Sequence, residues 1–527
     1  MPWVFQTITS RLHSRWRFAL RVATICIFGA CSFSSDARQV ELTILHTTDL
    51  HGHILPTTDY DGRENVGGLL RASTQIRQLR DARPNALLLD CGDLYQGGAE
   101  SYLTQGRIMI RALDWLRYDA WILGNHEFDW GLEKMQRLLN ASSTPMLAAN
   151  IISRPGRPHP FPRVQPFLIR EVDGIKVAIV GLITPGVPTW STPDLLGDAM
   201  FERSIDALKR VMPAVRAEKP DVLLLAAHQG CKRRGDDHAN EINAVARAFP
   251  EFDVIIGGHT HQPIPEIWLE DRVLYTQAGY YGAWLGQLDL VYDTVAKRVT
   301  RKSAQLHAID EAVPRDAEME AEFSSDLKRA ESYLAQRVGS AKGRIAWKTD
   351  EYGTSPIQAL IARALASASG ADLVLHGVLD EHDLPSGDLS MADIWRIVPY
   401  ENRVAILQVT PAELMEILEE NGEVRSPMSF MGLFGARYQW KTVDGGARKP
   451  VNLTLKDGKI PHPRQRLKVA INSYALASGG GRYKKLREIA ERPETRTKLL
   501  DLDTRTAVLT YVKKHSPLDA DALLESP

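Results

Sequence analysis

Cysteine is nearly absent. The chain has four in 527 residues, and two of them, Cys26 and Cys31, fall within the first 37. Cys91 and Cys231 alone build neither a disulfide framework nor a thiolate zinc site, so stability must come from packing. A surplus of charge is missing too. Lys and Arg number 64 and Asp and Glu 65, a net charge of −1, so composition gives no support to a nucleic-acid-binding surface. No stretch after residue 40 is long and apolar enough to span a bilayer, and internal repeats and long low-complexity segments are lacking. What remains is an ordinary globular mixture, 44% hydrophobic and 24% charged, with a length that suggests two or three domains.

The N-terminus stands apart. Arg11, Arg15, Arg17 and Arg21 precede a mostly apolar stretch from Val22 to Phe33, with Gly29 and Ala30 just before Cys31. The pattern reads as a secretory signal over residues 1–37 and implies an exported chain in the periplasm or cell envelope. A lipoprotein signal acylated at Cys31 and an uncleaved membrane anchor are the alternatives. Contact with a membrane is otherwise not expected.

Short apolar runs recur through the first half: Leu42 to Leu45, Ala86 to Leu89, Val177 to Val180, Val222 to Leu225 and Val254 to Ile256, with Tyr118 to Leu123 a weaker member. Most are continuous rather than alternating, as in strands buried on both faces. Helical stretches lie between them at Leu69 to Arg80, Arg107 to Leu116 and Ile205 to Val215. Alternating strands and helices predict a layered α/β domain over 38–312. Charged, helix-prone sequence over 313–340 reads as a linker helix. A second, smaller α/β unit follows over 341–520, with helices at Pro356 to Ala368 and Pro411 to Glu420 and strands at Asp372 to Leu375 and Leu467 to Ile471.

The chemistry sits at the strand ends. Five runs are followed by Asp49-Leu50-His51, Asp90-Cys91-Gly92-Asp93, Gly124-Asn125-His126-Glu127, His228, and Gly257-Gly258-His259-Thr260-His261. Sites in α/β sheets form beyond the carboxyl ends of the strands, so these clusters can converge on one crevice. Singly each residue has an ordinary role: a helix cap for Asp49 or Asp93, a turn for Gly124 or Gly258, a packed core residue for any His. Their joint occurrence, in this order, carries the case. Carboxylate, imidazole and amide oxygen suit borderline divalent ions such as Mn, Zn, Co or Fe. Seven candidate ligands exceed what one four-coordinate ion needs and suit two ions with a bridging carboxylate. Such a pair can polarise a phosphoryl oxygen and activate water for in-line attack.

The order of motifs resembles the calcineurin-like metallophosphoesterases. More closely, the chain resembles exported bifunctional 5′-nucleotidases, in Thr48-Asp49-Leu50-His51-Gly52, in Gly67-Gly68, in Asp90 to Gly97 and in Gly124 to Asp129. The resemblance implies a layered metallophosphoesterase sandwich followed by a smaller 5′-nucleotidase-like α/β domain that closes over it. It implies that Asp49, His51 and His261 hold one metal, that Asn125, His228 and His259 hold the other, and that Asp93 bridges. His126 is then the residue that stabilises the phosphoryl group or protonates the leaving oxygen, and Asp129 orients His126. The implied substrate is a small-molecule phosphate ester, a nucleotide first. Oligomeric state is not implied.

The second half departs from the pattern. Where the family offers Arg to phosphate, this chain has His376-Gly377-Val378-Leu379-Asp380-Glu381. A second expected Arg is replaced by Thr349-Asp350-Glu351, and the ribose-binding Asp by Gly481. Phe430 can form one side of an aromatic clamp. The other side aligns with Ala475 unless neighbouring Tyr474 substitutes. Acids in place of Arg repel phosphate, and a clamp needs two faces. Arg396, Arg403, Arg437 and Arg482 are the candidates to compensate. Hydrolysis of sugar phosphates or of sulfur conjugates, and a non-enzymatic metal-containing envelope protein, are the rival functions.

Overall fold

The computed structural model describes residues 38–525 except 234, 425, 427, 428 and 444–447. The secretory, lipoprotein or anchor segment read in residues 1–37 lies outside the described residues.

Two sheets form the first half. One has seven strands in the order Arg298–Ala308, Trp284–Asp293, Gln39–Thr47, Leu87–Asp90, Ala120–Ile122, Met146–Leu147 and Val164–Gln165. The other has six, in the order Pro263–Leu269, Val273–Ala278, Val254–Gly257, Val222–Ala227, Ile175–Leu182 and Phe167–Val172. The continuous apolar runs explain the stacking. In Ile175–Leu182, Val177 and Ile179 enter a core between the sheets with Leu42, Ile44, Leu89, Ile122, Leu224 and Ile256. Their neighbours Ala178 and Val180 point the other way, against Leu208 and Val211 of helix Ser204–Ala217. The first sheet does the same: Leu45, Leu88 and Trp121 pack against Leu69, Ile76, Ile108 and Leu113 of two helices. The result is helices, sheet, sheet, helices. Each fully buried Ile, Leu or Val adds roughly 1.5–3 kcal/mol relative to exposure.

Strands Gln39–Thr47, Leu87–Asp90 and Ala120–Ile122 run parallel, as do Val222–Ala227 and Val254–Gly257. Their carboxyl ends therefore lie on one edge of the sandwich. Sequence reading found these strands but missed Phe167–Val172, Pro263–Leu269 and Arg298–Ala308. Those strands show mixed exposure, and their apolar runs, Phe167 to Ile169 and Ile267 to Leu269, are only three residues long and lie beside charged or exposed positions.

Helix Ala317–Leu334 begins at Asp316, whose carboxylate accepts from the backbone of Glu318 and Met319 and pairs with Arg77 at 2.8 Å. Met319, Phe323 and Leu327 pack on the first core, whereas Tyr333 and Leu334 pack on the core of the second half. That half is built on five strands in the order Gly432–Phe434, Leu373–His376, Leu467–Asn472, Arg403–Val409 and Lys498–Asp503. Helices Pro356–Ser369 and Thr504–His515 cover one face, Pro411–Asn421 and Lys484–Ala490 the other. No helix among the described residues is long and apolar enough to cross a membrane.

Candidate functional site

The five strand-end clusters meet. Asp49, His51, Asp93 and His261 form one group of potential ligand atoms within 4.8 Å of one another, and Asp93, His228 and His259 form a second. Asp93 belongs to both. Asn125 joins them with a buried Oδ1 that has no hydrogen-bond partner.

Backbone geometry shows how the loops bring these donors inward. Asp49, His51, Asp93, His259 and His261 all have positive φ, between 47° and 73°. This region disfavours residues with a Cβ and costs of order 1–3 kcal/mol each. The loops are held there by one another. Asp49 N donates to Gly92 O at 2.8 Å, and His51 N to Asp93 O at 2.9 Å. His259 N donates to Asp49 Oδ2 at 3.0 Å. Glu127, whose role the sequence did not disclose, ties two loops together. Its buried carboxylate accepts from the backbone of Asp93, Leu94 and Gly124 at 3.1, 2.8 and 2.6 Å. Burial and the neighbouring Asp93 carboxylate raise Glu127 to about 7.

The donor set fits divalent cations. His51 Nδ1 lies 2.9 Å from Gln96 O, and His228 Nδ1 lies 2.6 Å from Cys91 O. Each Nδ1 therefore carries a hydrogen, and in the neutral ring, the form that ligates a metal, Nε2 is left as a lone pair. Yet His51 Nε2 lies 3.0 Å from His261 Nε2, and His228 Nε2 lies 3.0 Å from Asp93 Oδ2 with no hydrogen-bond partner. Lone pairs and a carboxylate that face each other inside a protein call for a cation between them. Burial and the neighbouring His261 hold His51 down to about 3. Burial and His228 do the same for His259.

His126 sits beside this cluster. Its N donates to Asp93 Oδ1 at 2.8 Å, and its Nδ1 lies 2.6 Å from Asp129 Oδ2. Burial opposes the imidazolium, but the carboxylates of Asp129 and Asp93 outweigh it and push His126 up to about 10.

Aromatic side chains missed by the sequence reading roof the cluster. Tyr60 Oη lies 2.9 Å from His261 Nδ1 and 2.8 Å from Tyr281 Oη. Trp190 has its ring centroid 4.9 Å from His259. From the second half, Tyr400 stacks on His126 with centroids 6.0 Å apart. Glu401 accepts from Gln96 Nε2 at 3.0 Å and Trp130 Nε1 at 3.2 Å while pairing with Arg505 at 2.6 Å. The aromatics are far apart in sequence and follow no motif, so nothing in their spacing signals the contact. Cys91 and Cys231 are both free and buried.

The clamp candidates are half-buried. Tyr474 Oη is 3.4 Å from Arg482 Nη2. Ala475 is buried, with its N on Asn472 Oδ1 at 2.7 Å. Phe430 packs beside Gly353, where a Cβ would lie 2.7 Å from the Phe430 ring.

A layered α/β sandwich with imidazole and carboxylate donors at one edge belongs to the class of metal-binding α/β hydrolases. Residues 42–263 match the family model described as calcineurin-like phosphoesterase, and residues 337–488 match 5′-nucleotidase, C-terminal domain. The chain belongs to the calcineurin-like phosphoesterases that carry a 5′-nucleotidase C-terminal domain. It is 26% identical to protein UshA of Yersinia enterocolitica over 537 residues, 91% of this chain and 92% of that protein. It is 25% identical to endonuclease YhcR of Bacillus subtilis over 91% of this chain, but spans only 40% of that protein's length. A 5′-nucleotidase precursor from Thermus thermophilus superposes with a TM-score of 0.70 at 21% identity, covering 90% of this chain and 96% of that one.

Proposed function

We propose that the chain is an exported two-metal phosphoesterase that hydrolyses phosphate esters, with nucleotides as its leading substrate class. The observation that carries this reading is the pair of ligand groups joined through Asp93. Asp49, His51 and His261 are assigned to one divalent ion, Asn125, His228 and His259 to the other, and Asp93 to both. When bound, such ions polarise a phosphoryl oxygen and supply a nucleophile at neutral pH. His126, held through Nδ1 by Asp129, presents Nε2 to the transferring phosphoryl group or gives its proton to the leaving oxygen. The reacting unit is assigned to 38–312. The helix within 313–340 joins it to 341–520, where Phe430 and Tyr474 contact substrate. Export to the periplasm or envelope is supported by the basic and then apolar order of residues 1–37.

The test loads the mature chain with Mn, Co or Zn and screens nucleotides, sugar phosphates and sulfur esters. Two bound ions per chain and turnover of nucleoside monophosphates are expected. A chain that saturates with metal yet cleaves none of these esters would rule the proposal out.

A further inference from the structure

The four arginines that could replace the missing guanidiniums have different surroundings. Arg403 is committed: Nη1 pairs with Asp194 at 2.9 Å and Nε donates to Leu500 O at 3.1 Å. Arg396 is exposed on helix Met391–Ile397. Arg437 lines a cavity with Tyr352, Tyr438 and Lys456, none of whose walls comes from the first half.

Arg482 differs. It directly follows the turn Gly479–Gly481, with Nη2 on the Tyr474 hydroxyl at 3.4 Å and Cζ 6.0 Å from the Tyr483 ring. The Tyr483 hydroxyl in turn donates to Ser429 O, beside Phe430. Arg482 Nε is buried without a partner, and among the described residues Arg482 forms no ion pair.

This corner of the second half reaches the metal-ligand cluster along two routes. A Cβ on Gly481 would lie 2.7 Å from His238 Cε1. The His238 ring neighbours Trp190 at 5.9 Å, and Trp190 lies 4.9 Å from His259. On the other flank, burial raises the Tyr400 phenol and nearby Tyr474 adds to the effect, while Tyr400 itself stacks on His126. A guanidinium partly withdrawn from water, with phenols for neighbours, leaves a donor unsatisfied until an anion arrives. Its planar fork matches phosphate or carboxylate in two-point contact.

We propose that Arg482 binds a second anionic group on the leaving side of the substrate, a further phosphate or a carboxylate, while the scissile phosphoryl group occupies the metal cluster. This rests on the phosphoesterase reading and narrows its substrate class to phosphorylated molecules whose leaving group is itself an anion. ADP and AMP separate the idea from simple base recognition, because they share a base and ribose and differ in the phosphate that would face Arg482.

The experiment measures KM and kcat for both nucleotides on metal-loaded mature protein carrying Arg482, Arg482→Gln or Arg482→Lys. Loss of a charge-assisted contact is worth roughly 10-fold or more in affinity. The KM for ADP should therefore rise about tenfold more than that for AMP in Arg482→Gln, and Arg482→Lys should recover part of it. Equal shifts for the two nucleotides, or no shift in either, overturn the proposal. Calorimetric binding of AMP and of a non-hydrolysable methylene analogue of ADP decides the matter separately from turnover. If the parent chain hydrolyses neither nucleotide, nucleotides fail as its substrate class. Tighter binding of the ADP analogue than of AMP, lost in Arg482→Gln, still upholds Arg482, and its absence sinks it.

Discussion

The Tyr400 ring lies 15° from parallel to the His126 imidazole at a centroid distance of 6.0 Å, although the two residues come from opposite halves of the chain. Burial raises the Tyr400 phenol, and the phenols of Tyr60 and Tyr281 lie close by. The second half thus supplies part of the wall around the proposed proton donor. Such ring pairs contribute about 0.5–1.5 kcal/mol beyond the area they bury. Tyr400→Ala is expected to raise KM roughly 2- to 10-fold at unchanged metal content. Tyr400→Phe keeps the ring and should move KM less. Steady-state kinetics with metal analysis checks this, and an unaltered KM in Tyr400→Ala would show that the second half does not shape the site.

His126 and Asp129 give a sharper test. The 2.6 Å contact between His126 Nδ1 and Asp129 Oδ2 fixes the ring, and neither residue belongs to the ligand groups. His126→Ala should lower kcat by about 10²–10⁴-fold, the usual span for a proton-transferring side chain. Asp129→Asn should cost roughly 10–100-fold, as for partners that orient an active histidine. Bound metal, measured by elemental analysis, should stay near the parent value in both. Loss of metal in His126→Ala would make it a ligand rather than a proton donor.

How much of this was legible follows from how each contact is made. Asp49, Asp93, Asn125 and His228 stand directly after buried strands, so chain order and the parallel-sheet rule suffice to bring them together. The four-layer stacking follows from runs such as Val177 to Val180, which are apolar on both faces. Tyr60, Tyr281, Tyr400 and Trp190 lie in loops whose approach depends on the whole tertiary arrangement. Glu127 was visible beside His126 but acts through backbone amides, which leave no mark in sequence. Glu401 bridges Arg505 to Gln96 and Trp130 across the two halves, a contact no local pattern encodes.

Gly124 tests how tightly the ligand loops are packed. A Cβ there would lie 2.3 Å from Asp93 Oδ1 and 2.5 Å from Asp93 N, with Glu127 Oε2 at 2.9 Å. Two of these atoms belong to buried carboxylates fixed by hydrogen bonds, and one is backbone, so none can yield cheaply. Gly124→Ala must push Asp93 off the point where both ligand groups meet. Strain of about 1–3 kcal/mol is expected, read as a lower thermal midpoint together with weakened retention of metal on dialysis. Normal metal retention in a well-folded Gly124→Ala chain would contradict the shared role of Asp93.

His376 makes stability depend on pH away from the metal ligands. It is fully buried in strand Leu373–His376, with Nδ1 2.6 Å from Gly377 O and Nε2 3.2 Å from Asn472 Nδ2. A neutral ring satisfies both contacts, donating to the carbonyl and accepting from the amide. A proton on Nε2 would set donor against donor, and burial lowers the group from 6.5 to about 4. Because the folded value lies below the unfolded one, the unfolded chain binds the extra proton. The stability from this group is complete above about pH 6.5 and is lost as pH falls from there toward about 4. A shift of this size corresponds to about 3 kcal/mol at full protonation. His376→Gln removes the proton site, so its loss of stability between pH 7.5 and pH 4.5 should be smaller than the parent's by roughly 2–3 kcal/mol. Urea unfolding of metal-free parent and variant at the two pH values measures this, because protonation of the ligand histidines is common to both chains and cancels. Parallel pH profiles for the two proteins would mean that His376 is already protonated in the folded state, or never titrates across this range.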